Sequence, residues 1–382
     1  MRPTPLLSIL LPILLALLTA CGPKAIPSAA DPRGGFRHPQ LAIPAHGVYQ
    51  GAYMDWGEQE DAVTFEGITD FEKMVGKHQA IVASSSYWGE QTFPDANMRL
   101  IEGYGAVPLV FWSPWDKPYA EGRGPDKYSL TSIIAGEHDA YIDMWADRAR
   151  DFDYPILVSF ANEMNGSWFP WSGVLYGGDK EIPGTDPQKY EGPETFKKAY
   201  RHVVDRVRAK GATNIQWVLH LMNYSMPQEP WNLAANYYPG PEYCDWLGFS
   251  LYGSQFPSDD EWAPFFPLFD WPYTELTLLD PNKPIIVAEW GVAELPNLGS
   301  KPEWIRDGFR IMKDPKFPRL KACVFWHERW QNSEGHDAGK YSNLRVNSTP
   351  ESLDAYRESV ADPFYLAHPV LKEGGALKHP SE

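Results

Sequence analysis

Residues 156 to 172 read Ile-Leu-Val-Ser-Phe-Ala-Asn-Glu-Met-Asn-Gly-Ser-Trp-Phe-Pro-Trp-Ser. The stretch opens as a buried strand, Ile156–Phe160, and turns polar at Asn162, Glu163 and Asn165. Gly166 breaks the run, and Trp168, Phe169 and Trp171 follow closely. A carboxylate set just past an apolar strand is costly to bury without a task. The rings beside it make a flat apolar surface of the kind a sugar ring stacks on.

Residues 284 to 292, Pro-Ile-Ile-Val-Ala-Glu-Trp-Gly-Val, repeat the arrangement. An apolar run of strand length again ends in a glutamate, Glu289, followed by Trp290 and Gly291. Two glutamates at two distant strand ends are the minimum equipment for hydrolysing a glycosidic bond. If both strands belong to one parallel barrel, both side chains emerge at its C-terminal face.

The rest of the chain supplies such a barrel. Strands are predicted over 47–53, 80–85, 106–112, 156–160, 214–220, 244–252, 284–289 and 320–326. Helices are predicted over 65–77, 131–150 and 193–210; the second carries Ile134, Tyr141, Met144, Trp145 and Ala149 on one side. Eight strands separated by helices or long loops make a single (β/α)8 TIM barrel, in the α/β class, the natural reading. The 382 residues suit one large barrel, and no internal repeat or second domain is visible. The Gly-, Pro- and Asp-rich 172–192 segment reads as a cleft wall, and 225–283 as surface loops around the sixth strand.

Charge restricts the partners. With 34 Lys and Arg against 50 Asp and Glu, the net charge is −16. Such a chain is a poor nucleic-acid binder and does not adhere to anionic membranes by charge. A neutral polysaccharide suits it better than a polyanion. Aromatics at 14%, including 16 Trp, supply stacking surface.

The N-terminus is read as an address. Residues 1–20 combine Arg2 with a short apolar run, and Leu18-Thr19-Ala20-Cys21 resembles a bacterial lipoprotein cleavage box. The expectation is a lipidated Cys21, a tether over 21–44, a catalytic domain over 45–366 and a tail over 367–382. Gly22 rather than an acidic residue after Cys21 points to the outer membrane or cell surface of the bacterial envelope. The acyl chains would provide the membrane anchor, and a monomer is expected.

Asn162-Glu163-Met164-Asn165-Gly166 with Trp168-Phe169-Pro170-Trp171, together with Ala288-Glu289-Trp290-Gly291, resembles glycoside hydrolase family 26. Further stretches share the resemblance: 135–141, 238–240 with 245–248, and 348–353. The family contains β-mannanases and some β-glucanases and xylanases, all retaining TIM-barrel glycosidases. The resemblance implies Glu163 as acid/base, Glu289 as nucleophile and Tyr252 as donor to the nucleophile. It implies Trp326 as the platform under the sugar at the scissile bond, with Trp168 near the same sugar. Trp115, then Trp112 and Trp88, are candidates to line the cleft further out, and Trp171 for packing. Aromatic surroundings should raise the Glu163 carboxyl, which suits an acid, while Glu289 should stay ionised.

One position departs from the family pattern. Its mannanases usually carry His before the acid/base, where this chain has Asn162. Asn at that place hydrogen-bonds the sugar 2-hydroxyl in the wider clan, so β-glucan or xylan stays open beside mannan. An exo-acting or transglycosylating enzyme on the cell's own exopolysaccharide, or an inactive carbohydrate-binding lipoprotein, are the alternatives. Cys244 and Cys323 fall on strands two apart, beyond disulfide reach, and read as buried thiols. No histidine or cysteine spacing suggests a metal, and no cofactor is expected.

Overall fold

The barrel strands are β1 Val48–Tyr53, β2 Ile81–Tyr87, β3 Val107–Ser113, β4 Ile156–Phe160, β5 Ile215–Met222, β6 Trp246–Tyr252, β7 Ile285–Gly291 and β8 Leu320–Trp326. They pair in parallel, each with the next, and β1 pairs with β8 to close the barrel. The architecture was obtained as a computed structural model, which describes residues 38–58, 60–116, 127–333 and 335–373. The strands are buried almost throughout, as a parallel sheet covered by helices requires. The expected α/β class and (β/α)8 TIM barrel are what the chain forms.

The outer layer holds α1 Phe65–Val75, α2 Asp95–Tyr104, α3 Asp139–Phe152, α4 Glu191–Ala209, α5 Phe265–Leu279, α6 Lys301–Met312 and α7 Pro350–Val360. Three of these seven starts follow capping chemistry. Thr64, Ser300 and Thr349 each accept a hydrogen bond from a backbone N–H in the first turn of α1, α6 and α7. Between β5 and β6 the chain makes a 3-10 turn, Pro230–Asn232, and the short helix Ala234–Tyr237.

Three expectations differ from the fold. The helix predicted over 131–150 is broken into Leu130–Ile134 and α3, because Gly136 takes a left-handed φ of 79°. The break frees Asp139 to receive His202 Nε2 and Arg206 Nη1 of α4, both at 2.7 Å. The 225–283 region is not all loop, since it contains the whole of α5. Phe265, Phe269, Tyr273 and Leu276 bury one side of that helix despite Pro272 inside it. Residues 39–41, read as tether, form a strand against Leu371–Glu373, and Leu41 N–H donates 2.7 Å to Gln216 of β5. Cys244 and Cys323 are buried free thiols. The leader and Cys21 lie outside the described residues. No helix among the described residues is long and apolar enough to cross a membrane.

Candidate active site

Glu163 leaves β4 through an irregular turn that its own sequence explains. Ala161 and Glu163 have φ of 50° and 56°, a region that L side chains rarely adopt. Two attachments to β5 hold the turn. Glu163 N–H donates 2.8 Å to the His220 carbonyl. The Asn165 side chain donates 3.1 Å to the Met222 carbonyl and accepts 2.8 Å from its N–H, as a strand neighbour would. Gly166 is required by the next step. A Cβ there would meet the Trp168 ring at 2.5 Å. With no side chain in the way, the Trp168 indole folds back and its Nε1–H donates 2.7 Å to Glu163 Oε2.

Glu289 comes from β7, where the ladder with β6 shifts register between Phe249 and Ser250, so that Ser250 faces Glu289. The Tyr252 hydroxyl donates 2.6 Å to Glu289 Oε2, and burial keeps that phenol protonated. Strand alternation sends the next side chain outward, so Trp290 packs against Phe265, Trp304 and Phe309 rather than in the cleft.

The two glutamates and His220 form one cluster, with one ligand atom from each lying within 4.8 Å of the others. This is the group among the described residues that could hold a metal ion. Both imidazole nitrogens already face hydroxyls, Ser159 at 3.0 Å and Ser250 at 2.7 Å. A cation bound through His220 would have to displace one of them.

Electrostatics modify the expected division of labour. Burial raises the Glu163 carboxyl, while hydrogen bonds from Ser250 and Trp168 pull it down. Burial raises Glu289 well above the ordinary carboxylate range, the Glu163 charge adds to this, and the Tyr252 hydrogen bond opposes it. The Tyr252 hydrogen bond thus works for an ionised Glu289 against burial and the Glu163 charge. Two carboxyls so close in a dry pocket cannot both ionise cheaply.

The aromatic candidates divide by their surroundings. Trp326 lies at the C-terminal end of β8 and presents one ring face to Tyr53 at 3.9 Å. Trp168 is half-buried beside Glu163, and Asn162 is buried next to it, with its carbonyl accepting from Trp171 Nε1 at 2.6 Å. Trp115 packs edge-on against Phe169 and Trp171 and keeps only a narrow exposed margin. Trp112 and Trp88 do not line a cleft. Trp112 stacks on Trp145 at 4.2 Å and donates to Tyr141, and Trp88 is fully buried beside it. Trp171 is packing, stacked on Phe169 at 4.6 Å.

Sequence reasoning left several residues without a role. His220, Ser159 and Ser250 are polar groups inside otherwise apolar strands, and that contrast was their available signal. Glu328, just past β8, accepts 2.6 Å from Trp326 Nε1. Burial first, then the Glu60 charge, push its carboxyl up to about 8. Glu60, in the loop after β1, also adds charge felt by Glu163 and Glu289.

The chain is similar to known proteins in sequence and in fold. The profile described as glycosyl hydrolase family 26 matches residues 130–270. Endoglucanase H of Acetivibrio thermocellus is 28% identical over 321 residues, covering 82% of this chain and 30% of that protein. A β-1,3-xylanase of a Vibrio species is 24% identical over 264 residues, covering 63% of this chain and 50% of that protein. The chain thus spans half or less of the length of these two relatives. The catalytic domain of a Bacillus sp. JAMB-750 family 26 endo-β-1,4-mannanase shares the fold, with a TM-score of 0.58 and 17% identity over 84% of this chain and 87% of that one.

Proposed function

We propose that this chain, which is similar to glycoside hydrolase family 26 in sequence and fold, is a retaining β-glycanase that cleaves β-linked polysaccharide by double displacement. One observation carries the reading: carboxylate oxygens of Glu163 and Glu289 lie within 4.8 Å of each other. Retaining glycosidases hold their carboxyls roughly 5 to 5.5 Å apart, whereas inverting ones leave roughly 6.5 to 9.5 Å for a water.

The mechanism divides between the two groups. Glu289 attacks the anomeric carbon and forms a glycosyl ester, with Tyr252 holding its oxygen in line. Glu163 protonates the departing glycosidic oxygen, then, as carboxylate, takes a proton from the water that hydrolyses the ester. The cycle needs a proton on Glu163 and an anionic Glu289, and the Tyr252 hydroxyl favours the latter by donating to it. Trp326 supplies the platform and Asn162 reaches for the 2-hydroxyl. The names of the endoglucanase and xylanase relatives, together with Asn162, support a gluco- or xylo-configured glycan beside mannan. Cys21, as a lipidation site, would anchor the enzyme at the cell envelope.

Proton NMR of the first product, recorded before mutarotation, tests the reaction. The β-anomer is expected from a β-glycan; an initial α-anomer means inversion and overturns the reading. Product analysis on mannan, mixed-linkage glucan, laminarin and xylan identifies the substrate.

A further inference from the structure

We propose that Lys301 is a positioning residue for the sugar platform: its buried ammonium braces the 343–346 segment, that segment holds Glu328, and Glu328 holds the Trp326 indole. The inference rests on the glycosidase reading, with Trp326 as its platform, and deepens it.

Lys301 stands where a cation is costly. It is fully buried, and as the first residue of α6 it lies at the positive end of the helix dipole. Glu294, the carboxylate whose charge it feels, is committed to the Ser348 and Ser352 hydroxyls at 2.7 and 3.1 Å. The Lys301 ammonium donates instead to two backbone carbonyls, Asn343 at 3.1 Å and Arg345 at 2.9 Å. Burial pulls its pKa down to about 7, which records the cost of this placement.

The segment it braces reaches three strand ends. Leu344 N–H donates 2.8 Å to the Glu328 carbonyl, just past β8. Val346 N–H donates 3.0 Å to Nδ1 of His327, the residue next to Trp326. The Arg345 side chain donates 2.6 Å to Asp55, beyond β1. The Leu344 side chain lies on Gly291 of β7, where a Cβ would meet it at 3.0 Å. The segment thus ties the strand of the nucleophile to the strand of the platform, and Lys301 pins it at both neighbours of Leu344. The Glu328 carboxyl completes the path by accepting 2.6 Å from Trp326 Nε1. Stacking on Tyr53 sets the plane of the indole but leaves it free to turn in that plane. The bond to Glu328 removes that freedom.

Kinetics and spectra test the path. The substrates are 2,4-dinitrophenyl β-cellobioside, β-mannobioside and β-xylobioside. On the fastest of them, Lys301→Met should lower kcat/KM roughly 10-fold, the scale of one charge-assisted hydrogen bond. In a Trp326→Ala or Glu328→Leu background the same change should cost less than about threefold, because the residue it acts through is gone. The indole N–H proton resonance of Trp326, assigned by its loss in Trp326→Ala, should move upfield in Lys301→Met as the bond to Glu328 loosens. Trp304, one turn along α6 with its indole N–H on the Ala263 carbonyl, should keep its signal. Lys301→Gln is the second variant should Lys301→Met not fold.

An equal loss with and without Trp326, or a Trp326 resonance that stays in place, overturns the inference. So does failure of both variants to melt cooperatively, which makes Lys301 a requirement of the fold alone. The underlying reading fails in other ways. No turnover of any of these substrates by wild type removes the glycosidase, and Trp326→Ala within about threefold of wild type removes the platform. The inference falls with either. If both stand and Lys301→Met behaves as wild type, only the role of Lys301 is lost.

Discussion

The Trp326 indole lies flat on the Tyr53 ring, with centroids 3.9 Å apart and planes 11° from parallel. These residues are also register partners across the seam where β1 and β8 close the barrel. The position of this ring is therefore set by barrel closure itself. One ring face is covered by Tyr53, the indole N–H is held by Glu328, and Phe111 packs edge-on at 5.8 Å.

Removing either glutamate should give a different failure. Glu289→Ala should abolish turnover on every glycoside, and azide should yield a glycosyl azide of inverted configuration. Glu163→Ala should cost about 10² to 10⁴-fold on natural glycan but spare glycosylation by aryl glycosides. Azide should then rescue the second step with retained configuration. Full activity in Glu289→Ala would remove the nucleophile assignment.

The Tyr252 hydroxyl lowers the Glu289 carboxyl against a larger upward push from burial and from Glu163. Glu289 must be ionised to attack, so the acidic limb of the kcat/KM profile should lie above the ordinary carboxylate range. Tyr252→Phe removes a stabilising donor, lets Glu289 rise further and should move that limb to higher pH. A limb that stays in place or moves down excludes this role for Tyr252.

Glu328 should make stability fall with rising pH. Its folded carboxyl is pushed up to about 8, above its value in the unfolded chain. Its contribution is thus fully present below the unfolded value and is lost as pH rises through about 8. Glu328→Gln can still accept from the Trp326 indole. It should match wild type in Tm near pH ~4 and exceed it by roughly a few degrees near pH ~9. Equal melting curves at both pH values would show that Glu328 ionises freely.

Asn162 should matter in the transition state. Asn162→Ala should lower kcat more than it raises KM, because the bond to the 2-hydroxyl strengthens as the oxocarbenium character develops. Activity on a gluco- or xylo-configured glycan should at least equal that on mannan; exclusive mannanase activity refutes the specificity argument.

The anchor is tested through Cys21. Expressed in a Gram-negative host, the protein should incorporate labelled palmitate and sediment with membranes, and Cys21→Ser should lose the label. Wild-type protein without label means that Cys21 is not lipidated.

Much of the barrel was legible because a buried parallel strand writes a nearly continuous apolar run, and each run here ends at a turn. Glu163 and Glu289 stood out as charges at the ends of such runs. Trp88 and Trp112 misled because composition near a strand end does not say which side of the sheet a ring occupies. A shift of one residue separates cleft from helix layer. His220 and Ser250 were passed over for the opposite reason: a small or neutral polar residue barely disturbs an apolar pattern, and its value depends on partners from other strands. Helix α5 was hidden by its two prolines and high apolar content, which blur the contrast between its faces.

The left-handed backbone at Glu163 has an evolutionary consequence. A non-glycine residue held there carries on the order of 1 kcal/mol of strain, and this one also buries a carboxyl. Both burdens disappear in Glu163→Gly, a change within reach of a single nucleotide. A duplicated copy freed from selection for hydrolysis would find a direct route to inactivity that also relieves this backbone, at the cost of the acceptor that the Trp168 indole uses.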